Sequence, residues 1–181
     1  MKKIVLLVFA FIASACSSPY VLSDAAKRQL GSLNKQTAEK NIEKLSQSSS
    51  KAGGLCLAGS LHTGPGTVPV IENGKLQFTA TYEETTGYST SPSAGGISVT
   101  RHYTLHKGKF AINLKALKSV RIVSGNKIPA CQYDGSGKIV IIADEMGIDG
   151  MINVTDTDLD LLIASLHYLS PKAELKQGAG F

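Results

Sequence analysis

The 181-residue chain contains no tryptophan, and only 6% of its residues are aromatic. Sugar sites commonly stack the ligand on tryptophan, so that class loses support. No dense run of Lys and Arg with interleaved aromatics occurs, which removes the footprint of a nucleic-acid binder. HExxH, GxSxG and CxxC are all missing, and with them the usual marks of zinc hydrolases, serine hydrolases and redox pairs. Beyond the first dozen residues nothing is long and apolar enough for a transmembrane helix. Charge is muted too. Setting aside Lys2 and Lys3, which lie in the targeting segment, 17 basic side chains face 14 acidic ones. An apolar content of 43% still supports one domain with a real core.

The first informative segment is at the start. Met1-Lys2-Lys3 is a short positive region, followed by an apolar run from Ile4 to Ile12. As a helix that run is about 14 Å long, too short for a hydrocarbon layer of about 30 Å. It has the length of a signal-peptide core, so residues 1–15 are expected to be removed. Ala13-Ser14-Ala15-Cys16 then resembles the lipobox of bacterial lipoproteins, with Ala13 where that family favours Leu. The resemblance implies that Cys16 is acylated and becomes the first residue. A membrane partner through the lipid anchor follows, with residues 16–23 as a tether. Ser17 in place of Asp implies the outer membrane, facing the periplasm. The alternative is plain cleavage after Ala15, giving a soluble periplasmic protein.

With Cys16 lipidated, Cys56 and Cys131 remain. An even remainder in an exported chain predicts a disulfide between them. It would close a loop of roughly 75 residues and stabilise by about 4 kcal/mol in the chain-entropy model. Two buried free thiols are the alternative.

Periodicity organises the rest. Asp24–Leu45 reads as a helix with Leu30, Leu33, Ala38, Ile42 and Leu45 near one face, open to a break at Gly31. Residues 46–54 read as a Ser-rich linker. Residues 55–170 form the main domain. Strands are expected over 55–62, around Leu76–Tyr82, around Ile97–Leu105, from Phe110 to Leu114, at Val120–Ile122, over Ile139–Ala143 and over Met151–Val154. His106-Lys107-Gly108 reads as a hairpin turn, and Thr85–Gly96 as an exposed loop carrying Tyr88. Ile139–Ala143 looks buried on both faces. Thr155 or Asp156 caps a final helix whose stripe is Leu159, Leu162, Ile163, Leu166 and Leu169. Residues 171–181 are expected to form a flexible tail.

The expected fold is therefore α+β: an N-terminal helix, an antiparallel sheet or barrel of about seven strands, and a C-terminal amphipathic helix. That order, with the segment Ile112–Ile122, resembles the pleckstrin-homology-like barrel. The resemblance covers roughly residues 55–170 and implies no ligand site, since no Lys/Arg-rich loop lies between the first strands. A plain α+β sandwich is the alternative.

Residues with chemical potential are sparse. Aligning Gly150 with the glycine of an EF-hand loop places Glu145, Gly147, Asp149 and Asp156 at ligand positions, but Gly147 offers no side-chain oxygen. A strand end, a turn and a helix cap account for the same acids. His102 and His106 fall on one strand face about 13 Å apart, too far to share a metal. Gly135-Ser136-Gly137-Lys138 lacks the lead and the helix of a phosphate loop. No catalytic, cofactor-binding or metal residue is assigned. The expected function is that of a non-enzymatic cell-envelope lipoprotein binding another envelope protein or peptide, not nucleic acid. The Thr85–Gly96 segment and the exposed face of the first helix are its candidate surfaces. A small-ligand or lipid carrier with a pocket lined by Phe78, Tyr103 and Ile139 is the alternative, and a hydrolase with a site scattered in sequence comes third.

Overall fold

Ser23, Asn34 and Thr155 each open a helix, because their side-chain oxygens accept amide hydrogens that the first turn leaves unpaired. Ser23 Oγ accepts from the Ala26 amide at 3.0 Å, Asn34 Oδ1 from Thr37 at 2.8 Å and Thr155 Oγ1 from Asp158 at 3.3 Å. The computed structural model describes residues 17–51, 56–57, 68–93, 95–124, 137–147 and 149–178. The helices are α1 (Asp24–Ser32), α2 (Lys35–Lys51) and α3 (Asp156–Leu169). The first helix is thus broken at Leu33–Asn34, two residues past Gly31, where Asn34 recaps the chain. Helix α2 then continues to Lys51, through two thirds of the expected linker.

Nine strands accompany them among the described residues: β1 (Ser18–Pro19), β2 (Cys56–Leu57), β3 (Val70–Glu72), β4 (Lys75–Ser93), β5 (Gly96–Asn113), β6 (Leu117–Ser124), β7 (Lys138–Asp144), β8 (Asp149–Val154) and β9 (Glu174–Gly178). They make two sheets, in the orders β1-β9-β6-β7-β8-β2 and β3-β4-β5. Of these pairings only β6–β9 is parallel. The fold is α+β, as expected, but the described strands do not close into a barrel.

The reason lies in β5. The expected turn at His106–Gly108 does not form, and Gly108 pairs in register with Ala80 midway along the ribbon. The turn comes instead beyond Ser93, before Gly96, whose φ is +140°. Segments that a barrel would use as separate short strands are therefore fused into one long hairpin. The expected loop at Thr85–Gly96 is its outgoing strand and turn.

The core lies between the helices and one face of the larger sheet. Ile42 and Leu45 of α2 and Leu162, Ile163 and Leu166 of α3 meet Val120, Ile122, Val140, Ile142 and Ile152. The root of the hairpin enters the same core through Leu76, Phe78, Ala80 and Ile112. Ile112 packs so closely over Gly150 that a Cβ there would collide with its Cδ1. Ile139, Val140, Ile141 and Ile142 are all buried, so β7 is covered on both faces as expected.

Two segments read as loose are part of the fold. Ser18 and Pro19 pair with Gln177 and Lys176, and β9 continues the sheet beside β6. The amide of Tyr20 donates to the Leu175 carbonyl at 3.0 Å. The N-terminal segment is thus stitched to the sheet one residue after Ser17, and the C-terminal segment is a strand to Gly178.

Candidate functional site

The hairpin β4–β5 outruns the body of the protein. Its root, Lys75–Ala80 against Gly108–Asn113, is held by the core. Beyond it, Glu84–Ser93 and Gly96–Leu105 continue as a ribbon with no member in the core cluster. Ten residues per strand at about 3.3 Å each make an arm about 30 Å long. Strand β3 pairs with β4 only at Lys75–Gln77, and β5 is the last strand of its sheet. Among the described strands, the arm is therefore unpaired along both outer edges.

Strand alternation sorts the arm into two faces. Ile97, Val99, Arg101, Tyr103 and Leu105 share one face, and register adds Tyr88, Thr90 and Pro92 from β4. Ser98, Thr100, His102, Thr104 and His106 share the other, with Glu84 and Ser89. The polar face is internally bonded: His102 Nε2 lies 2.8 Å from Ser89 Oγ, and His106 Nε2 lies 2.9 Å from Glu84 Oε2. On the apolar face, the Arg101 guanidinium sits 5.4 Å from the Tyr103 ring centre.

That apolar face is bare. Ile97 is 76% exposed, Tyr88 68%, Val99 62%, Leu105 60% and Tyr103 50%. These five form one contiguous patch on the order of several hundred Å², at the top of what a monomer ordinarily leaves uncovered. The alternation of Ile97 to Leu105 implies a half-buried strand. The period is right, but no part of the described fold lies over it. The face also switches sides: at the root the apolar residues point into the core on the Phe78–Phe110 side, and on the arm they occupy the opposite side.

A β-bulge contributes to this arrangement. Thr85 pairs with Tyr103 and Gly87 with His102, so Thr86 is the extra residue. If the register of the root ran on unbroken, with Thr86 paired to His102, Tyr88 would stand across from Thr100 on the polar face.

Other sequence candidates fall elsewhere. Phe78 is in the core, Tyr103 on the arm and Ile139 on the face of β7 turned away from the helices, so the structure does not bring the three together. Asp144 is buried, with its carboxylate accepting from the amides of Asn113 and Met146, while Asp156 sits in the first turn of α3. Among the described residues no group of three or more His, Cys, Asp or Glu could hold a metal ion. His167 is in the last turn of α3, and its Nδ1 is buried with no hydrogen-bond partner among the described residues. Cys56 pairs in register with Met151, while Cys16 and Cys131 lie outside the described residues. Gly135 and Ser136 are outside them too, while Gly137 turns the chain into β7 with a φ of +72°.

A cleft of about 450 Å³ opens at the C-terminal half of α2, between Leu45, Ser49, Gly137, Asn153 and Asp156. Ser49 Oγ accepts from the Asn153 amide at 2.8 Å, so the serine serves the fold. No histidine is among the described residues lining the cleft to act as a base for it. Among the described residues, no helix is long and apolar enough to cross a membrane.

No family model, no curated protein sequence and no solved structure matches this chain.

Proposed function

We propose that this chain is a non-enzymatic cell-envelope lipoprotein, fixed to the membrane through Cys16, that binds another envelope protein through its arm. The observation that carries this reading is the open edge of β5 along Gly96–Lys107. An unpaired row of backbone N–H and C=O groups is a template for an extended segment of a second protein, which adds to the sheet as a further strand. The arm has no packing duty in the body, so its length is left to explain by contact with something else. The close attachment of β1 to β9 supports the anchoring half of the reading. An acylated Cys16 would be two residues from the sheet, holding the domain near the bilayer without a long tether.

Two measurements test it. The intact mass of protein purified from its host membrane should correspond to residues 16–181 plus a diacylglycerol and an acyl chain. It should rise by about two daltons on reduction if Cys56 and Cys131 are bridged. A bare mass would refute the anchor. A photo-crosslinker placed at Thr100 or Thr104 should give a discrete protein adduct in intact cells, and one placed at Lys40 on α2 should not. Absence of adducts from the arm would refute strand addition.

A further inference from the structure

The face of the arm asks for a different occupant from its edge. A strand added to β5 leaves Ile97, Val99, Tyr103, Leu105 and Tyr88 as bare as before. What covers them must lie flat against the ribbon. We infer that this face seats on an anionic phospholipid surface, with the arm lying in the headgroup layer.

Charge on the face selects this occupant. By register Arg101 and Lys107 share the apolar side of the ribbon, and Lys109 continues it into the root, where Lys75 and Glu72 on that side offset each other. Lys107 and Lys109 are exposed, and the Arg101 guanidinium lies over Tyr103. Lysine is scarce in the centre of protein interfaces. The same combination of apolar residues, tyrosines and long cationic side chains is what the membrane interface favours, because the stems reach into the apolar layer while the charges meet phosphate. The open edges fix the depth. Hydrocarbon would leave their N–H and C=O groups unsatisfied, so the ribbon lies along the interface and does not span the bilayer. The polar face, with Ser98, Thr100, His102 and Thr104, is then turned to water, and the strand edge stays available to a protein.

The absence of tryptophan makes the test direct, since one introduced indole is the sole reporter. The chain from Ser17 onward holds every residue of the core, and lacks the lipidated cysteine, so binding by an acyl group does not contribute. In that chain Val99→Trp reports the apolar face and Thr100→Trp the polar face one residue away. Each protein is added to preformed vesicles of phosphatidylglycerol and phosphatidylcholine, or of phosphatidylcholine alone, with acyl chains brominated as quenchers. The expected result is a blue shift and quenching for Val99→Trp but not for Thr100→Trp, on the anionic vesicles above all. Replacing Arg101, Lys107 and Lys109 together by Gln should weaken binding to anionic vesicles on the order of a hundredfold at low salt. Equal behaviour of the two indoles, or no quenching of either, overturns the inference. A blue shift of the Val99→Trp indole that grows with protein concentration in the absence of lipid also overturns it, in favour of self-association. The outcome is independent of the strand-addition reading: edge adducts can persist when the vesicles fail, and vanish when the vesicles succeed.

Discussion

Tyr88 stands directly across the ribbon from Arg101, and it does so because β4 carries one residue more than β5 needs between Thr85 and Gly87. A period-two chain has no other local way to move a side chain from one face to the other. The bulge therefore decides whether the arm presents one tyrosine or two on its apolar side. Deleting Thr86 should remove the bulge and join the two registers, leaving Gly87 across from His102 and Tyr88 across from Arg101. Cross-strand contacts between Tyr88 and Arg101 seen by NMR should persist in the variant. Since the arm lies outside the core, the melting temperature should change by no more than that of an ordinary surface substitution, about 0.5 kcal/mol in stability. Movement of Tyr88 to a position opposite Thr100 would show that Thr86 is not what reconciles the register of the root with that of the tip.

The root of the arm is held by a buried carboxylate. Asp144, at the end of β7, accepts from the amide of Asn113 at 3.1 Å and from that of Met146 at 2.9 Å. Asn113 is the last residue of β5, so one side chain fastens the hairpin to the larger sheet. Asp144→Ala leaves two sheltered amides without an acceptor, and should cost about 2–3 kcal/mol. For a domain of this size that is roughly 4–12 °C in melting temperature. Asp144→Asn keeps one acceptor oxygen and should lose about half as much. Equal losses for the two variants would show that the charge, not the hydrogen bonds, carries the effect.

The elements that bury a stripe were legible from periodicity alone. Leu162, Ile163 and Leu166 of α3, and Ile42 and Leu45 of α2, are in the core, and Ile139–Ile142 is covered on both sides. The hairpin was not legible in the same way. Ile97 to Leu105 alternates as a half-buried strand does, and alternation says which residues share a face but not whether anything covers that face. His106-Lys107-Gly108 has turn-forming residues, yet Gly108 does not turn because its neighbours find partners along β4. One signal was there to be read. Asn73-Gly74 is the strongest short hairpin signature, and it makes the β3–β4 turn with φ of 54° and 76°. Strand β1 has too few residues to show a period, and β9, Glu-Leu-Lys-Gln-Gly, has only one apolar residue to mark one, so only long-range pairing reveals them. The mark of the bulge at Thr86 is the adjacent Gly87, and it points to a bulge only once the segment is read as a strand.

Two glycines should respond to alanine in opposite directions. Gly137 has a φ of +72°, and a Cβ there would run into the carbonyl oxygen of Val154, which is backbone and cannot move aside cheaply. Gly137→Ala combines left-handed strain of about 1–2 kcal/mol with that collision, and should destabilise by about 3 kcal/mol or more. Gly31 lies in α1 with an ordinary helical backbone, and a Cβ added there would meet nothing within 4 Å. Gly31→Ala should stabilise by about 0.5–1 kcal/mol, through the lower entropy of the unfolded chain. Chemical denaturation of the two variants beside the parent decides both. A neutral Gly137→Ala would mean that the turn before β7 is free to rebuild.

Alkaline pH should loosen the N-terminal segment through Tyr20. Burial holds its phenol above the ordinary value of 10.0, and the nearby Asp160 carboxylate adds to the rise. The ring packs against the core while the backbone ties Leu175, so the neutral phenol is favoured in the folded state. A group whose folded value is raised contributes stability that is complete below the unfolded value. That contribution is lost as pH climbs through the folded value, because the unfolded chain gives up its proton first. Tyr20→Phe removes the titration and keeps the ring. The melting temperatures of parent and variant should therefore run parallel up to about pH 9, and the parent should fall away from the variant above about pH 10. Ionisation of the other tyrosines is common to both proteins and cancels in the difference. Curves that stay parallel to about pH 11 would show that Tyr20 ionises as freely in the folded protein as in the unfolded chain, and that neither burial nor the charge of Asp160 holds its proton.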